Sequence, residues 1–367
     1  MFTLFRLQPE AFGLDISDHS VKMCRLVKHR DEYRLNTFGE FSLPEGVIVE
    51  GEVKKDEELA KLLEEGMKSV QGKKLDTRYV VASLPEEKAF LQVLQLPKMK
   101  PEEVRQAILF EAENYIPYPL ETVYLDYQIV SPFAARADDH FDVLIASWPR
   151  VMVDQYIGIL RSARMNPLAL EIESFAIARA VIPHEVSGTP VFLVDLGASR
   201  TGLSVYAGYS LQFTASAAVS SSDLTNAIAK TLQVSVEKAE KLKFDYGMAG
   251  SEQGKEVFDA LIPSLTDLAE QIKKYIDYYE THALHQHLGK QKKAISKVFL
   301  CGGGAVMKGL PEFLSKQLNV KVQTGNPWVN IRPEQSKIIP PISFDDSLRY
   351  TTALGLALRG ARAEENI

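Results

Sequence analysis

Val194-Asp195-Leu196-Gly197-Ala198-Ser199-Arg200-Thr201 reads as a buried strand that ends in an aspartate and opens into a turn of small residues. A hairpin is expected next, over Leu203 to Phe213, turning at Ala207-Gly208. About 180 residues earlier the chain carries the same device in Phe12-Gly13-Leu14-Asp15-Ile16-Ser17. Strands are expected around it at Ala11 to Ile16, Val21 to Val27 and Tyr33 to Phe41. A strand-end aspartate, a small turn and a hairpin, met twice, predict two halves of similar α/β fold.

The residue types suit a nucleotide phosphate chain. A turn of small residues offers backbone N–H groups to anionic oxygens without side chains in the way. A strand-end aspartate can hold Mg²⁺ through water, because Mg²⁺ keeps several waters and takes few protein ligands. Two such loops, one per lobe, can clasp phosphates from both sides. Taken singly, each aspartate is better explained as a turn residue capping local backbone. A third motif strengthens the pair: Leu300-Cys301-Gly302-Gly303-Gly304-Ala305, followed by Met307-Lys308-Gly309-Leu310. A buried strand expected at Val298 to Cys301 runs into three glycines, and a helix follows. Backbone approaches a flat base or ribose closely only where side chains are absent.

Working outward, Leu59, Leu62, Leu63, Met67 and Val70 recur at helical spacing, and Tyr79 to Leu84 is a buried strand ended by Pro85. The stretch 85–164 has a different texture and predicts an inserted αββα-like block. Pro101 opens a helix whose apolar face is Val104, Ala107, Ile108, Ala112 and Tyr115. Tyr115-Ile116-Pro117-Tyr118-Pro119 stops it, because proline cannot continue a helix. Strands are expected near Val123 to Val130 and Phe141 to Ser147, then a helix over 150–164. Further helices are expected at 223–232, 236–246, 256–287 and 347–359, with an exposed loop at Lys290 to Lys293.

Composition excludes some classes. A net charge of -6 argues against a nucleic-acid binder working by bulk charge, which needs a basic face. No apolar stretch approaches the roughly 20 residues that span a bilayer. Met1 to Leu7 is too short for a signal peptide, so a cytoplasmic location is expected. Membrane contact would then come through partners, or weakly through Phe2, Leu4 and Phe5. Cys24 and Cys301 sit in apolar runs and read as buried thiols.

Two phosphate loops, a glycine motif and an inserted block are similar to the actin, Hsp70, sugar-kinase and FtsA superfamily. Within it, Phe110-Glu111-Ala112-Glu113-Asn114-Tyr115-Ile116-Pro117-Tyr118-Pro119 resembles the signature of the PilM family of type IV pilus assembly proteins. The Asp15 region with Ser20-Val21-Lys22, Cys301 to Leu310, and Ala353 to Gly360 also resemble that family, over about residues 11–361. The resemblance implies an actin-like fold of two RNase H-like lobes with a 1C-type insert. Its parts would be 10–84 with 165–190 and 345–361 (1A), 85–164 (1C), 191–220 with 285–344 (2A) and 221–284 (2B).

The resemblance also implies ATP or ADP with Mg²⁺. Asp15 and Asp195 would attend the ion through water, and Ser17, Ser20 and Lys22 would join Asp15 in the first loop. Gly197, Ala198 and Thr201 would form the second. Gly302, Gly303 and Gly304 would line adenosine, and Glu240 and Lys243 would reach the ribose, although spacing alone makes them an ordinary helical charge pair.

The first loop of the family reads aspartate, aliphatic, glycine. Here Ser17 replaces the glycine and Asp18 adds negative charge beside the phosphates, which predicts at most weak ATPase activity. His19 is a loop histidine and, in principle, a base. The implied partner is the cytoplasmic N-terminal segment of the membrane protein PilN. It would dock beside the insert at Tyr115, Ile116, Pro117 and Tyr118, and other pilus-machine proteins, including the assembly ATPase, would follow. The protein would thus lie peripheral to the inner membrane. A polymerising FtsA-like ATPase and a small-molecule kinase of the same fold are the alternatives.

Overall fold

The computed structural model describes residues 9–30, 32–130, 140–282, 294–333, 335–336 and 339–362. The expectations for Phe2, Leu4, Phe5, the Lys290 to Lys293 loop and the 256–287 helix beyond 282 lie outside them. The chain divides into two compact units, one of residues 1–89, 148–184 and 326–367, the other of 90–147 and 185–325.

The first unit is built on a six-stranded sheet. Its centre is β1 (Phe12–Ile16), buried along its whole length, as expected of a strand covered on both faces. β2 (Ser20–His29) returns antiparallel to it and β3 (Glu32–Ser42) continues the meander. On the other side β7 (Tyr79–Leu84) runs parallel to β1, and β11 (Asn166–Ile172) runs parallel to β7. The edge beyond β3 is the short β6 (Gln71–Gly72). Two more short strands, β4 (Ile48–Val49) and β5 (Glu52–Val53), form a separate ribbon.

Helices α1 (Asp56–Gly66), α3 (Arg150–Ser162) and α4 (Glu173–Val181) belong to this unit. So do two closing helices, Phe344–Leu348 and Thr351–Ala361. Where one last helix was expected, the chain breaks at Arg349-Tyr350, and Tyr350 turns into the core beside Phe38. Helix α1 stops at Gly66, short of Val70, which packs instead over Gly39 of β3. The last helix lies on β1 and α4 with small residues at the contact: Gly355 faces the Ala176 carbonyl too closely for any side chain. Glu171, on β11, is buried under a paired Arg179 and Arg359.

The second unit repeats the plan. β12 (Ser187–Leu196) is followed by the hairpin β13 (Thr201–Gly208) and β14 (Ser210–Ala217), turning at Gly208 with φ 62°. β15 (Lys297–Cys301) lies parallel to β12, and β16 (Val322–Thr324) parallel to β15. The order β16-β15-β12-β13-β14 matches β11-β7-β1-β2-β3 strand for strand. Helices α5 (Ser221–Leu232), α6 (Val236–Asp245) and α7 (Lys255–His282) follow the hairpin.

By contact, the inserted block groups with this unit. It holds a three-stranded sheet of order β8-β10-β9, made of β8 (Phe90–Pro97), β9 (Val123–Val130) and β10 (His140–Pro149). Helix α2 (Pro101–Ala112) packs on it through Val104, Ile108 and Ala112. The expected αββα order is therefore β-α-β-β. Phe90-Leu91-Gln92-Val93-Leu94-Gln95-Leu96 lacks strict alternation, and only its eight-residue pairing with β10 makes it a strand. Helix α3 packs against α1 of the first unit, where Gln155 bonds Asp56.

Candidate functional site

In the first loop, Asp15 stands one residue before the end of β1, opposite Lys22 of β2, with Lys22 Nζ 3.9 Å from its carboxylate. Ser83 of β7 donates to Asp15 Oδ1 (3.2 Å) and accepts the Ile16 N–H (3.1 Å), which fixes the carboxylate at the strand end. Ser17 closes the turn through its N–H (3.0 Å) and hydroxyl (2.9 Å), both donating to the Ser20 carbonyl. Lys22 Nζ donates to Ser20 Oγ (2.8 Å). Asp15, Ser17, Ser20 and Lys22 are thus brought together.

Asp18 departs from expectation. It is buried, and its carboxylate accepts the Gly51 N–H (3.0 Å), so this charge is tied to the neighbouring loop. His19 is exposed, and its carbonyl accepts the Leu43 N–H (2.8 Å). The backbone N–H groups of Asp18 and His19, at the tip of the turn, donate to no protein acceptor among the described residues.

The second loop reaches the same result by backbone alone. Gly197 N–H is shared between the carbonyls of Asp195 and Arg200, both at 3.0 Å. A Cβ at Gly197 would stand 2.9 Å from the Arg200 carbonyl oxygen, so only glycine closes this turn without displacement. The Gly197 and Ala198 carbonyls accept the N–H groups of Ser221 (2.9 Å) and Ser222 (3.1 Å), which caps α5 with the loop itself. The N–H groups of Ala198 and Ser199 donate to no protein acceptor among the described residues. Thr201 is fully buried and its hydroxyl donates to the Val219 carbonyl (2.6 Å), so its side chain anchors the loop from behind.

Asp195 lies in register with Gly202 of β13 and Cys301 of β15, and the glycine triplet begins one residue on. Gly302 has φ 81°, and a Cβ there would stand 2.4 Å from Asp195 Oδ1. The left-handed conformation and the close approach both require glycine. Gly303 and Gly304 continue into a short 3₁₀ turn over Gly303–Val306. Cys24 and Cys301 are free, buried thiols, each pushed up by burial and then by the nearby carboxylate of Asp15 or Asp195.

The structure separates Glu240 and Lys243. Glu240 is exposed, whereas Lys243 turns into the α5–α6 contact. Burial lowers the Lys243 ammonium to a pKa of about 8, against a smaller opposing pull from Glu240. Of the partner residues, Tyr115 and Tyr118 are 49% and 52% exposed, and Pro117 is exposed too. Only Ile116 enters the core of the insert. Tyr115 therefore leaves the apolar face expected of it, because α2 ends at Ala112 and Pro117 prevents another turn.

Reasoning from sequence missed Ser83 and Ser221, which hold Asp15 and the second loop. A small hydroxyl residue inside the apolar run Tyr79 to Leu84 was the available signal for Ser83.

The duplicated β16-β15-β12-β13-β14 plan, with an aspartate-ended hairpin in each copy, places the chain among actin-like proteins. Solved structures agree. MreB5 of Spiroplasma citri superposes with a TM-score of 0.58 at 10% identity, over 97% of this chain and 98% of that one. A chain of the PilM–PilN type IV pilus biogenesis complex superposes with a TM-score of 0.76 at 26% identity, over 96% and 99%. The family model of the type IV pilus assembly protein PilM matches residues 13–361, and the chain belongs to that family. The cell division protein FtsA of Pseudomonas aeruginosa is 23% identical over 207 residues, 53% of this chain and 48% of FtsA. The chain thus spans about half the length of the curated relatives it matches. Among the described residues no helix is long and apolar enough to cross a membrane.

Proposed function

We propose that this chain is the ATP- or ADP-binding, actin-like component of a type IV pilus assembly complex, working at the cytoplasmic face of the inner membrane and docked to the N-terminal tail of PilN. The carrying observation is that each aspartate-ended loop presents two successive N–H groups with no protein acceptor among the described residues, Asp18 and His19 in one, Ala198 and Ser199 in the other. Successive open amides are the chemistry that holds phosphate oxygens. The turn at Gly302 keeps Cβ atoms away from Asp195, as a bound nucleoside requires. The MreB5 relative was solved with ADP and with AMPPNP, which supports the same ligand class.

Mg²⁺ is proposed with the nucleotide, where it would neutralise phosphate charge. No group of three or more His, Cys, Asp or Glu able to hold a metal lies among the described residues. The ion would therefore depend on phosphate and water, with Asp15 and Asp195 as its carboxylates. Glu240 is proposed at the ribose. Titration calorimetry tests this reading: wild type should bind Mg-ATP, and Asp195→Ala should weaken it by about tenfold or more, given that hydrogen bonds and charge contacts to ions are worth about 1.5–3 kcal/mol. Equal affinities would sink the assignment.

For the partner, the support is the PilM–PilN complex together with exposed Tyr115, Pro117 and Tyr118 on a rigid turn. The segment 85–164 is accordingly proposed as the partner-binding insert. Exposed aromatics flanking prolines are low-entropy contacts for an extended peptide. A synthetic PilN N-terminal peptide should bind, and Tyr115→Ala or Tyr118→Ala should weaken binding at an unchanged melting temperature. No binding by wild type removes PilN as the partner.

A further inference from the structure

Lys243 is only 2% exposed, and its ammonium donates to Ser221 O (2.9 Å), Ser221 Oγ (2.8 Å) and Thr225 Oγ1 (2.7 Å). All three acceptors are neutral, and among the described residues no carboxylate lies within ion-pair distance of it. A buried charge without a counter-ion is costly, and a chain retains one where it serves another purpose. Its surroundings are few. Glu240, on the same helix, is exposed and acts only at range. On α5, Asp223 is turned to Ser220, whose N–H and hydroxyl both donate to it. Lys308 donates to the Asp245 carbonyl, and the Phe244 ring lies 4.8 Å from the Lys243 ammonium.

What Lys243 does hold is the residue that holds the second loop. Ser221 accepts from Lys243 on one side and donates its N–H to the Gly197 carbonyl on the other. Ser222, which Lys243 does not touch, donates its N–H to the Ala198 carbonyl. The N-terminal amides of α5 are thereby closed to any ligand, while those of Ala198 and Ser199 stay open.

We propose that Lys243 is a positioning residue for the phosphate chain: it fixes Ser221, and through Ser221 the Gly197–Ala198 turn, and its buried positive charge is the counter-charge of a bound di- or triphosphate. The proposal rests on the nucleotide reading above, and it assigns Lys243 to the phosphates rather than to the ribose. A charge screened little by solvent acts over several ångströms. Phosphate binding then favours the protonated lysine, so affinity falls as pH rises past the point where the free protein loses that proton.

The test is calorimetry of Mg-ATP, Mg-ADP and adenosine on wild type, Lys243→Met and Thr225→Val, with melting curves to establish folding. Lys243→Met should weaken Mg-ATP and Mg-ADP by about tenfold or more, the scale of one lost charge contact, and leave adenosine within about twofold. Thr225→Val, which keeps the ammonium, should cost less. Wild-type affinity for Mg-ATP should fall about five- to tenfold between about pH 7 and pH 9, because about a tenth of a group titrating near 8 stays protonated at the higher pH. The wild-type series needs no variant to fold, and the Lys243→Met curve should be flat. A wild-type affinity independent of pH overturns the proposal. So does an adenosine loss equal to the ATP loss, which would return Lys243 to the ribose. Wild type binding adenosine but neither nucleotide overturns it as well. Wild type binding none of the three removes the nucleotide reading itself and this proposal with it.

Discussion

The first loop is tied by side chains, the second by backbone. In the first, Ser17, Ser20 and Lys22 form a chain of hydroxyl and ammonium bonds, and Asp18 reaches out to Gly51. In the second, Gly197 closes the turn with its own N–H, and the carbonyls of Gly197 and Ala198 rest on α5. Both arrangements leave two neighbouring amides at the tip without an acceptor among the described residues. The duplication therefore preserved strand order and the aspartate, and let the turn chemistry diverge. A turn held by side chains tolerates a Cβ at its third position; one held by close backbone contact does not.

That contrast can be broken most severely at Gly302. Valine there must take φ 81° and meet Asp195 at 2.4 Å. Left-handed backbone alone costs about 1–2 kcal/mol and is worse for a β-branched residue. Gly302→Val should lose Mg-ATP binding altogether and melt several degrees lower; binding that survives would show that the glycine turn is not part of the site.

Exchanging the third residues sharpens the comparison. Gly197→Ser forces a Cβ to 2.9 Å from the Arg200 carbonyl, and should destabilise by about 1–3 kcal/mol, the usual cost of overpacking. The converse, Ser17→Gly, removes a hydroxyl whose bonds all go to Ser20 within the same turn and adds chain freedom, for about 1–2 kcal/mol. Denaturant midpoints should place Gly197→Ser below Ser17→Gly. The reverse order would mean that the first turn, not the second, is the more constrained.

The smallest effect separates the buried charges of the two units. Burial alone would raise the Glu171 carboxyl, but the attraction of Arg179 and Arg359 outweighs it and holds the carboxyl below the usual range. Its contribution is present above the unfolded value of about 4.3 and is lost as pH falls through the lower folded value. Lys243 has the opposite sign of linkage. Its folded pKa of about 8 lies below the ordinary 10.5, so the unfolded chain binds the extra proton between them. Stability should therefore gain from this group as pH rises through that window. Subtracting the melting profile of Lys243→Met from that of wild type isolates the term, and a difference that falls between pH 8 and 10 would contradict it.

Much of this was legible in the residues. Short apolar runs bounded by turn formers gave β1, β7, β12 and β15, because strands buried on both faces need no partner to be recognised. The repeated aspartate located both loops. Glycines at Gly197 and Gly302 pointed to close approach before any distance was known.

Other features waited on tertiary structure because each depends on residues distant in the chain. Phe90–Pro97 has no strand period of its own and becomes one by pairing with His140–Pro149. Tyr115 left the helical face because the helix ended three residues earlier. Asp18 looked like an added charge beside phosphate, yet its partner is an amide 33 positions away. Lys243 looked like half of a surface pair with Glu240, three residues before it, until the packing of α6 on α5 turned its ammonium inward to Ser221 and Thr225. Local sequence sets which conformations and turns the chain can adopt. Which side chains are buried, and whose charges they meet, is decided by contacts that form only when the sheet order brings remote segments together.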